Sequence, residues 1–130
     1  MSSSFLLDTH AVIWALQEDQ RLSAKVRPIL ADPACPAAVS VVSIWEIVLK
    51  CQAGKLQLGV PLAEFAHGII GRAWWSVLAL TPEHLTALYE LTMHHKDPFD
   101  RLLVAQAKAE GMTLVTNDAA LAAYGISTLW

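Results

Sequence analysis

Short apolar runs alternate with longer amphipathic segments along the whole 130-residue chain. Compact runs such as FLLD at 5–8 and TLVT at 113–116 are typical of buried strands, and apolar residues at helical spacing fill the stretches between them. Further strands are predicted at 37–40, at 76–80 and in the final STLW. Because parallel neighbours need helical crossovers, we expect an α/β fold, a three-layer α/β/α sandwich around a short central parallel sheet, in one domain over residues 1–130.

Composition adds a prediction about assembly. Hydrophobic residues make up 55% of the chain and charged residues 16%, against a usual charged share of about 25%. We therefore expect part of the apolar surface to be buried against another chain, in a homodimer. The tryptophans Trp14 and Trp45 fall on apolar helical faces and are predicted to lie in the core.

The chain shows no sign of export or membrane insertion. Its opening segment lacks basic residues and carries Asp8 inside the apolar stretch, which is not typical of a secretory signal. Charged residues interrupt the other apolar stretches well short of the ~20 residues that span a bilayer. Cys35 and Cys51 form no C-x-x-C pair and suit reduced thiols. We expect a cytoplasmic protein.

Four of the twelve acidic residues follow predicted strands or begin the next helices. Asp8 ends the first strand, Glu46 lies one turn into the helix after the second, Asp100 lies one turn into a later helix, and Asp118 follows TLVT. Ligands of parallel sheets bind beyond the carboxyl ends of the strands, near a switch in strand order. The sequence therefore predicts that these four carboxylates gather at one edge of the sheet.

Each acid also has a structural explanation. Asp8 and Asp118 fit helix caps equally well, and Asp100 suits the positive end of a helix dipole. Ser43 followed three residues later by Glu46 matches a capping box at the start of a helix over 43–54. Asp97 is the natural N-cap of the later helix, before a proline at the first helical position.

Taken together, four acids at one edge would repel one another unless a cation joined them. Oxygen ligands favour Mg²⁺ or Mn²⁺ over zinc. Such ions can polarise a phosphoryl oxygen and generate hydroxide from water during phosphodiester cleavage. His94 and His95 lack evident partners at ligand spacing, so we expect them to face solvent or substrate rather than a metal.

The net charge of −3 argues mildly against a nucleic-acid binder, although a nuclease can gather its acids in one metal site. Positive charge near the acids would come from Lys96 and Arg101, which bracket Asp97 and Asp100, and from Lys50 on the Glu46 helix. Lys96 and Arg101 are the better candidates for phosphate contact.

Four stretches carry a family resemblance over nearly the whole chain. FLLDTHAVIWAL, SVVSIWEIVLK, HHKDPFDRLLVAQAKAEGMTLVTND and YGISTLW together resemble the PIN (PilT N-terminal) domain, and particularly the VapC-like toxins of type II toxin–antitoxin pairs. The resemblance implies an α/β/α nuclease that depends on Mg²⁺ or Mn²⁺, cleaves RNA, and is held inactive by a cognate antitoxin. It makes Lys96 and Arg101 candidate RNA contacts.

The resemblance also assigns roles to residues. It makes a catalytic, metal-binding quartet of Asp8, Glu46, Asp100 and Asp118. Many family members carry one acid where this chain has DPFDRLLVAQA; matching DRLLVAQA to the family helix selects Asp100 and leaves Asp97 as a cap or supporting residue. The other supporting residues would be Thr9, Ser43, Thr116 and Asn117.

Two other functions compete with the ribonuclease. An aspartyl-phosphate phosphatase also uses an Asp after the first strand, but the D-x-D-x-T pattern fails because His10 stands at the second Asp position. A non-catalytic RNA-binding or regulatory module on a degenerate nuclease fold is the other alternative. The presence of all four expected acids favours an active enzyme.

Overall fold

The centre of the molecule is a five-stranded, entirely parallel sheet, seen in a computed structural model that describes residues 4–130. The first three residues, which belong to the predicted domain and to the opening segment, lie outside the described residues. The strand order is β3-β2-β1-β4-β5. The strands are β1 Phe5–Leu7, β2 Ala37–Ser40, β3 Trp75–Leu78, β4 Thr113–Val115 and β5 Thr128–Leu129.

Helices connect the strands and cover both faces of the sheet. Their bounds are α1 Thr9–Leu16, α2 Val26–Ala31, α3 Val41–Gln52, α4 Leu62–Ile70, α5 Pro82–Glu90, α6 Pro98–Glu110 and a 3-10 helix Ala119–Tyr124. As predicted, Asp97 caps α6, and Gly111 ends it with a φ of 68°, a left-handed conformation that glycine adopts without steric cost.

Alternating strand residues separate two hydrophobic cores. Leu6 pairs in register with Ala38 and Leu114, and all three belong to the core beneath α6. The next row, Leu7 with its partners from β2 and β4, belongs to the core beneath α1, α2 and α4. This period of two is that of a strand buried on both faces, and it confirms the predicted three-layer fold.

The predictions for the third strand and for Trp45 differ from the structure. The third strand begins one residue earlier than expected and ends at Leu78 rather than at position 80, because Trp75 already pairs in register with Ala37. Trp14 is buried as expected, but Trp45 is 55% exposed. Its neighbours Glu46 and Ile47 take the inward positions of α3, which turns Trp45 away from the sheet.

The connections place a crevice beside β1. The chain moves from β1 to β2 and β3 on one side of the sheet and then crosses to β4 on the other side of β1. The carboxyl ends of β1 and β4 therefore lie at a switch in strand order, where ligands of open parallel sheets bind. Within residues 4–130, no helix is both long and apolar enough to cross a membrane.

Candidate metal centre

The four acids predicted to converge do so, in a cleft of about 390 Å³ beyond the strand ends. Two of them cap the helices that follow β1 and β4, and two project from α3 and α6. The cleft is lined by Asp8, Thr9, His10, Glu46, Lys50, Asp97, Asp100, Asn117 and Asp118. Residues far apart in the chain thus share one pocket because the carboxyl ends of β1 and β4 meet the N-terminal parts of α3 and α6 there.

Asp8 and Asp118 each combine a capping contact with a position in the cleft. Asp8 Oδ1 accepts the Ala11 backbone N–H at 2.8 Å, and Asp118 Oδ1 accepts that of Ala120 at 3.1 Å. Thr116, buried at the end of β4, accepts the Asp118 backbone N–H through its hydroxyl. The capping explanation is therefore correct for both acids, and each keeps a second carboxylate oxygen outside that capping bond.

Glu46 is held by side chains on both of its oxygens. Thr9 Oγ1 donates to Glu46 Oε1 at 2.6 Å and lies 3.1 Å from Ser43 Oγ. Lys50 Nζ lies 2.9 Å from Glu46 Oε2, one helical turn along α3. Glu46 and Ser43 are both buried, so the hydrogen bonds replace the water that these groups lose.

The predicted capping box at Ser43 and Glu46 is wrong. Helix α3 begins at Val41, and Ser40 is its N-cap, with Oγ accepting the Val42 backbone N–H at 3.0 Å. Strand β2 ends at Ser40 and α3 follows directly, so Ser43 already lies inside the helix. Glu46 is left without a capping role, and its buried carboxylate lines the cleft.

Asp97 caps α6 as the sequence predicted, and Asp100 lies further along the first turn and lines the cleft. Asp97 Oδ1 accepts the backbone N–H groups of Phe99 at 2.9 Å and Asp100 at 3.3 Å. Asp100 projects from the first turn of α6, and its side chain is 27% exposed. The cap therefore holds the backbone that carries Asp100.

Burial and mutual repulsion disfavour the ionised forms of the carboxyl groups in the cleft. Burial raises the pKa of Asp8 despite a hydrogen bond from the Thr116 side chain, and Glu46 adds to the rise. Burial raises the pKa of Asp100 to about 6, helped by the negative charges of Asp97, Glu46 and Asp8 and opposed by His95. A cation among these carboxylates would relieve both the burial cost and the repulsion, so the donor set fits a hard divalent metal.

His95 reaches this site, contrary to the expectation that it lacks partners at ligand spacing. Its Nε2 lies 3.4 Å from Asp118 Oδ2 and 3.7 Å from Asp100 Oδ2. Among the described residues, one potential ligand atom from each of the three lies within 4.8 Å of the others. His94 instead packs its ring against Tyr124.

Two of the three cations expected near the acids line clefts there, and their ranking for phosphate contact stays a prediction. Lys50 lines the acidic cleft. Lys96 lines an adjoining cleft, and Arg101 Nη2 donates to the Leu91 carbonyl at 3.4 Å. The sequence does contain a signal for Lys50: it stands four residues after Glu46, a spacing that favours an ion pair on a helix. His10 also lines the cleft, and the sequence gave its ring no role there.

The fold and the acidic cleft define a class of nuclease-like domain, and comparison identifies it: residues 5–126 match the family model of the PIN domain. The chain belongs to this family, as its motifs predicted. Over 117 residues it is 29% identical to Ribonuclease VapC22 of Mycobacterium tuberculosis, a match that covers 89% of this chain and 88% of that protein.

Solved structures share the fold at lower identity. The DNA-bound VapBC of Salmonella typhimurium superposes with a TM-score of 0.74 at 17% identity, covering 98% of each chain. VapBC2 of Rickettsia felis, bound to a DNA fragment from its promoter, gives 0.68 at 16% identity, with 96% of each chain covered. A toxin–antitoxin complex from Klebsiella pneumoniae gives 0.62 at 15%, with 99% of this chain and 97% of that one covered.

Proposed function

We propose that this chain, as one domain, is a metal-dependent endoribonuclease that hydrolyses RNA phosphodiester bonds as the toxin of a toxin–antitoxin pair. The observation that carries the proposal is the convergence of Asp8, Glu46, Asp100 and Asp118 from four separate elements into one cleft. The ribonuclease named among its relatives supports the choice of RNA. Two free cysteines, Cys35 and Cys51, support action in a reducing cytoplasm.

The four carboxylates would hold Mg²⁺ or Mn²⁺, because all four offer oxygen ligands and two of them have pKa values raised by burial and neighbouring charge. When bound, such an ion polarises a phosphoryl oxygen and lowers the pKa of a bound water. The protein contributes positioning. Thr9 orients Glu46, Thr116 fixes the turn that carries Asp118, and Asp97 holds the start of α6.

The path of the RNA strand is proposed to follow a second cleft of about 590 Å³, which shares Glu46, Lys50 and Asp97 with the acidic one. It is lined by three lysines, Lys50, Lys55 and Lys96, and by the apolar residues Leu49, Ala53, Pro98 and Phe99. Lysines beside apolar side chains suit a strand that presents phosphates to one side and bases to the other. Arg101, already bonded to a backbone carbonyl, is the weaker of the two predicted phosphate contacts.

Salt dependence tests this path. Each phosphate contact in single-stranded nucleic acid contributes about 0.7 to the slope of log affinity against log salt. We expect Lys96→Gln to reduce the slope for binding single-stranded RNA in chelator by about that amount. Lys108→Gln is the matched control, because Lys108 is exposed in the last turn of α6 and lines neither cleft. Equal slopes for both variants would place the strand elsewhere.

Metal dependence tests the chemistry. We expect metal-free protein to cleave RNA after addition of Mg²⁺ or Mn²⁺ but not in excess chelator, and zinc to substitute poorly. Asp100→Asn keeps the shape of the side chain but removes a ligand charge. Because loss of a supporting contact alone costs about 10- to 100-fold, the loss of a ligand should cost more than about 100-fold in cleavage.

Gel assays of labelled RNA, with metal content confirmed by elemental analysis, provide the measurement. Circular dichroism should show that the Asp100→Asn variant remains folded. Full cleavage by confirmed metal-free protein in chelator would contradict the metal-dependent mechanism. Wild-type activity of Asp100→Asn would remove that residue from the site.

We also propose an antitoxin partner and a homodimer. The toxin–antitoxin complex with the same fold supports the former. An apolar cavity of about 300 Å³ between α3 and α4 suits a partner's amphipathic helix and is lined by Ile44, Ile47, Leu62, Ala63, Phe65, Ala66 and Ile69. Exposed apolar side chains such as Ile70 and Tyr89 support self-association. A monodisperse monomer at micromolar concentration in sedimentation experiments would contradict the homodimer.

A further inference from the structure

The ring of His95 bridges a backbone amide and two carboxylates of the cleft. On one side, Nδ1 accepts the Asp97 backbone N–H at 3.2 Å. On the other, Nε2 lies 3.4 Å from Asp118 Oδ2 and 3.7 Å from Asp100 Oδ2. The ring is partly exposed at 27%, so its orientation follows from these polar contacts more than from burial.

The amide contact decides which ring nitrogen carries the hydrogen. A neutral imidazole has one donor nitrogen and one acceptor nitrogen. Since Nδ1 accepts the Asp97 N–H, the hydrogen lies on Nε2, the nitrogen that faces the carboxylates. Binding of a metal through Nε2 would require the opposite tautomer, because metal-bound histidine is unprotonated at the ligating nitrogen. Nδ1–H would then meet the Asp97 N–H head on.

We infer that His95 is a positioning residue of this site and not a metal ligand, although its distance from Asp100 and Asp118 would suit a mixed nitrogen and oxygen site. Its Nε2–H attracts both Oδ2 atoms and so holds the two carboxylates near each other. At 3.4 and 3.7 Å these contacts are longer than a formed hydrogen bond. The carboxylate oxygens, which have two lone pairs each, therefore stay available to a cation.

The inference rests on the proposed function in one respect only, that the cleft holds a divalent metal. The metal-free part of the test is independent of it. Nitrogen-15 NMR of the full, metal-free chain, at a pH where the ring is neutral, should show His95 with its hydrogen on Nε2. A hydrogen on Nδ1 would overturn the inference whether or not the protein binds metal or cleaves RNA.

Loading with Mn²⁺ gives a second readout that does not depend on activity. Electron spin echo spectroscopy detects the nitrogen of an imidazole bound directly to Mn²⁺. We expect no coordinated nitrogen in the wild type. A nitrogen coupling that disappears in His95→Gln would establish His95 as a ligand and overturn the inference. Mn²⁺ binding without RNA cleavage would contradict the proposed function and leave the role of His95 intact.

Two substitutions test the roles of the two ring nitrogens of His95 separately. Gln places an amide N–H near the position of Nε2, whereas Asn keeps an acceptor near Nδ1 and lacks a donor that reaches the acids. We expect His95→Gln to retain Mn²⁺ affinity close to wild type, and His95→Asn to lose affinity by about 10- to 100-fold, as other supporting contacts do. Calorimetric titration with Mn²⁺ measures both.

The exposed neighbour His94 supplies the control. His94→Gln should change neither Mn²⁺ affinity nor the NMR signals of His95, and thermal melts should show that all three variants fold. Equal losses in His95→Gln and His95→Asn would indicate a ligand. Wild-type affinity in both would show that His95 positions nothing.

Discussion

Two histidines in this molecule make the same kind of contact in different surroundings. His84 Nδ1 accepts the Thr81 backbone N–H at 3.0 Å, and its Nε2 lies 2.9 Å from Glu110 Oε2. His95 likewise accepts a backbone N–H through Nδ1 and faces carboxylates through Nε2, at 3.4 Å and beyond. The ring of His84 is fully buried, whereas that of His95 is 27% exposed.

The difference lies in what the carboxylate is free to do. The Glu110 carboxylate is hydrogen-bonded to His84. The His84 ring also lies 3.3 Å from Gln106 Nε2, and Ser40 Oγ donates to Gln106 Oε1. These contacts link α5, α6 and β2. His95 approaches its acids without forming a full hydrogen bond. The buried histidine thus stabilises the fold, and the partly exposed one positions carboxylates that another partner can use.

The largest effect on stability should come from the buried histidine. His84→Ala removes a ring with no exposed surface, opens a cavity and leaves buried polar groups unpaired. We expect a loss of about 2–4 kcal/mol in the free energy of unfolding. Urea unfolding measures it, with His95→Ala as the matched change, expected to stay within about 0.5 kcal/mol of wild type. Equal losses of unfolding free energy at the two positions would show that both histidines stabilise the fold to the same extent.

A smaller effect should appear in the pH dependence of metal-free protein. The pKa of Asp100 is raised to about 6 in the folded state from an ordinary value of 3.8. Folding therefore favours the protonated form, so the stabilisation is complete below about pH 4 and is lost as pH rises through about 6. For a partly exposed carboxylate, solvent screening limits the change to about 1–2 kcal/mol.

Asp100→Asn cannot ionise and should show a smaller fall in stability between pH 4 and 7, which makes it more stable than wild type at neutral pH. Asp19→Asn is the control, because Arg21 lowers the pKa of Asp19 to about 2, away from this range. Urea unfolding in chelator across the pH range gives the measurement. Parallel curves for wild type and Asp100→Asn would show that Asp100 does not carry the effect.

The smallest effect should distinguish Asp97 from its neighbour Asp100. Asn caps a helix about as well as Asp, whereas Ala at an N-cap costs roughly 0.5–2 kcal/mol. Asp97→Asn should therefore be nearly silent in thermal melts and retain much of the RNA cleavage, and Asp97→Ala should mainly destabilise. An inactive Asp97→Asn beside an active Asp100→Asn would reverse the roles of the pair.

The elements and the converging acids followed from local pattern. A strand followed by Asp, or Asp97 before Pro98, is decided within a few residues. The missed features depend on tertiary contacts. The helical pattern around Trp45 predicts a core position, but packing of α3 on the sheet turns Trp45 outward. His95 looked isolated because its partner Asp118 comes from beyond β4.

Ser40 is both the last residue of β2 and the N-cap of α3, so no linker residue separates this strand from its helix. One residue inserted between positions 40 and 41 would rotate the rest of α3 by about 100° and advance it by about 1.5 Å relative to the sheet. Glu46 would swing out of the cleft, leaving Thr9 without its acceptor. An insertion at the exposed Gly54 or Gly59, by contrast, lies outside the elements that carry Asp8, Glu46, Asp100 and Asp118. In this fold, tolerance to insertion depends on how directly each helix follows its strand.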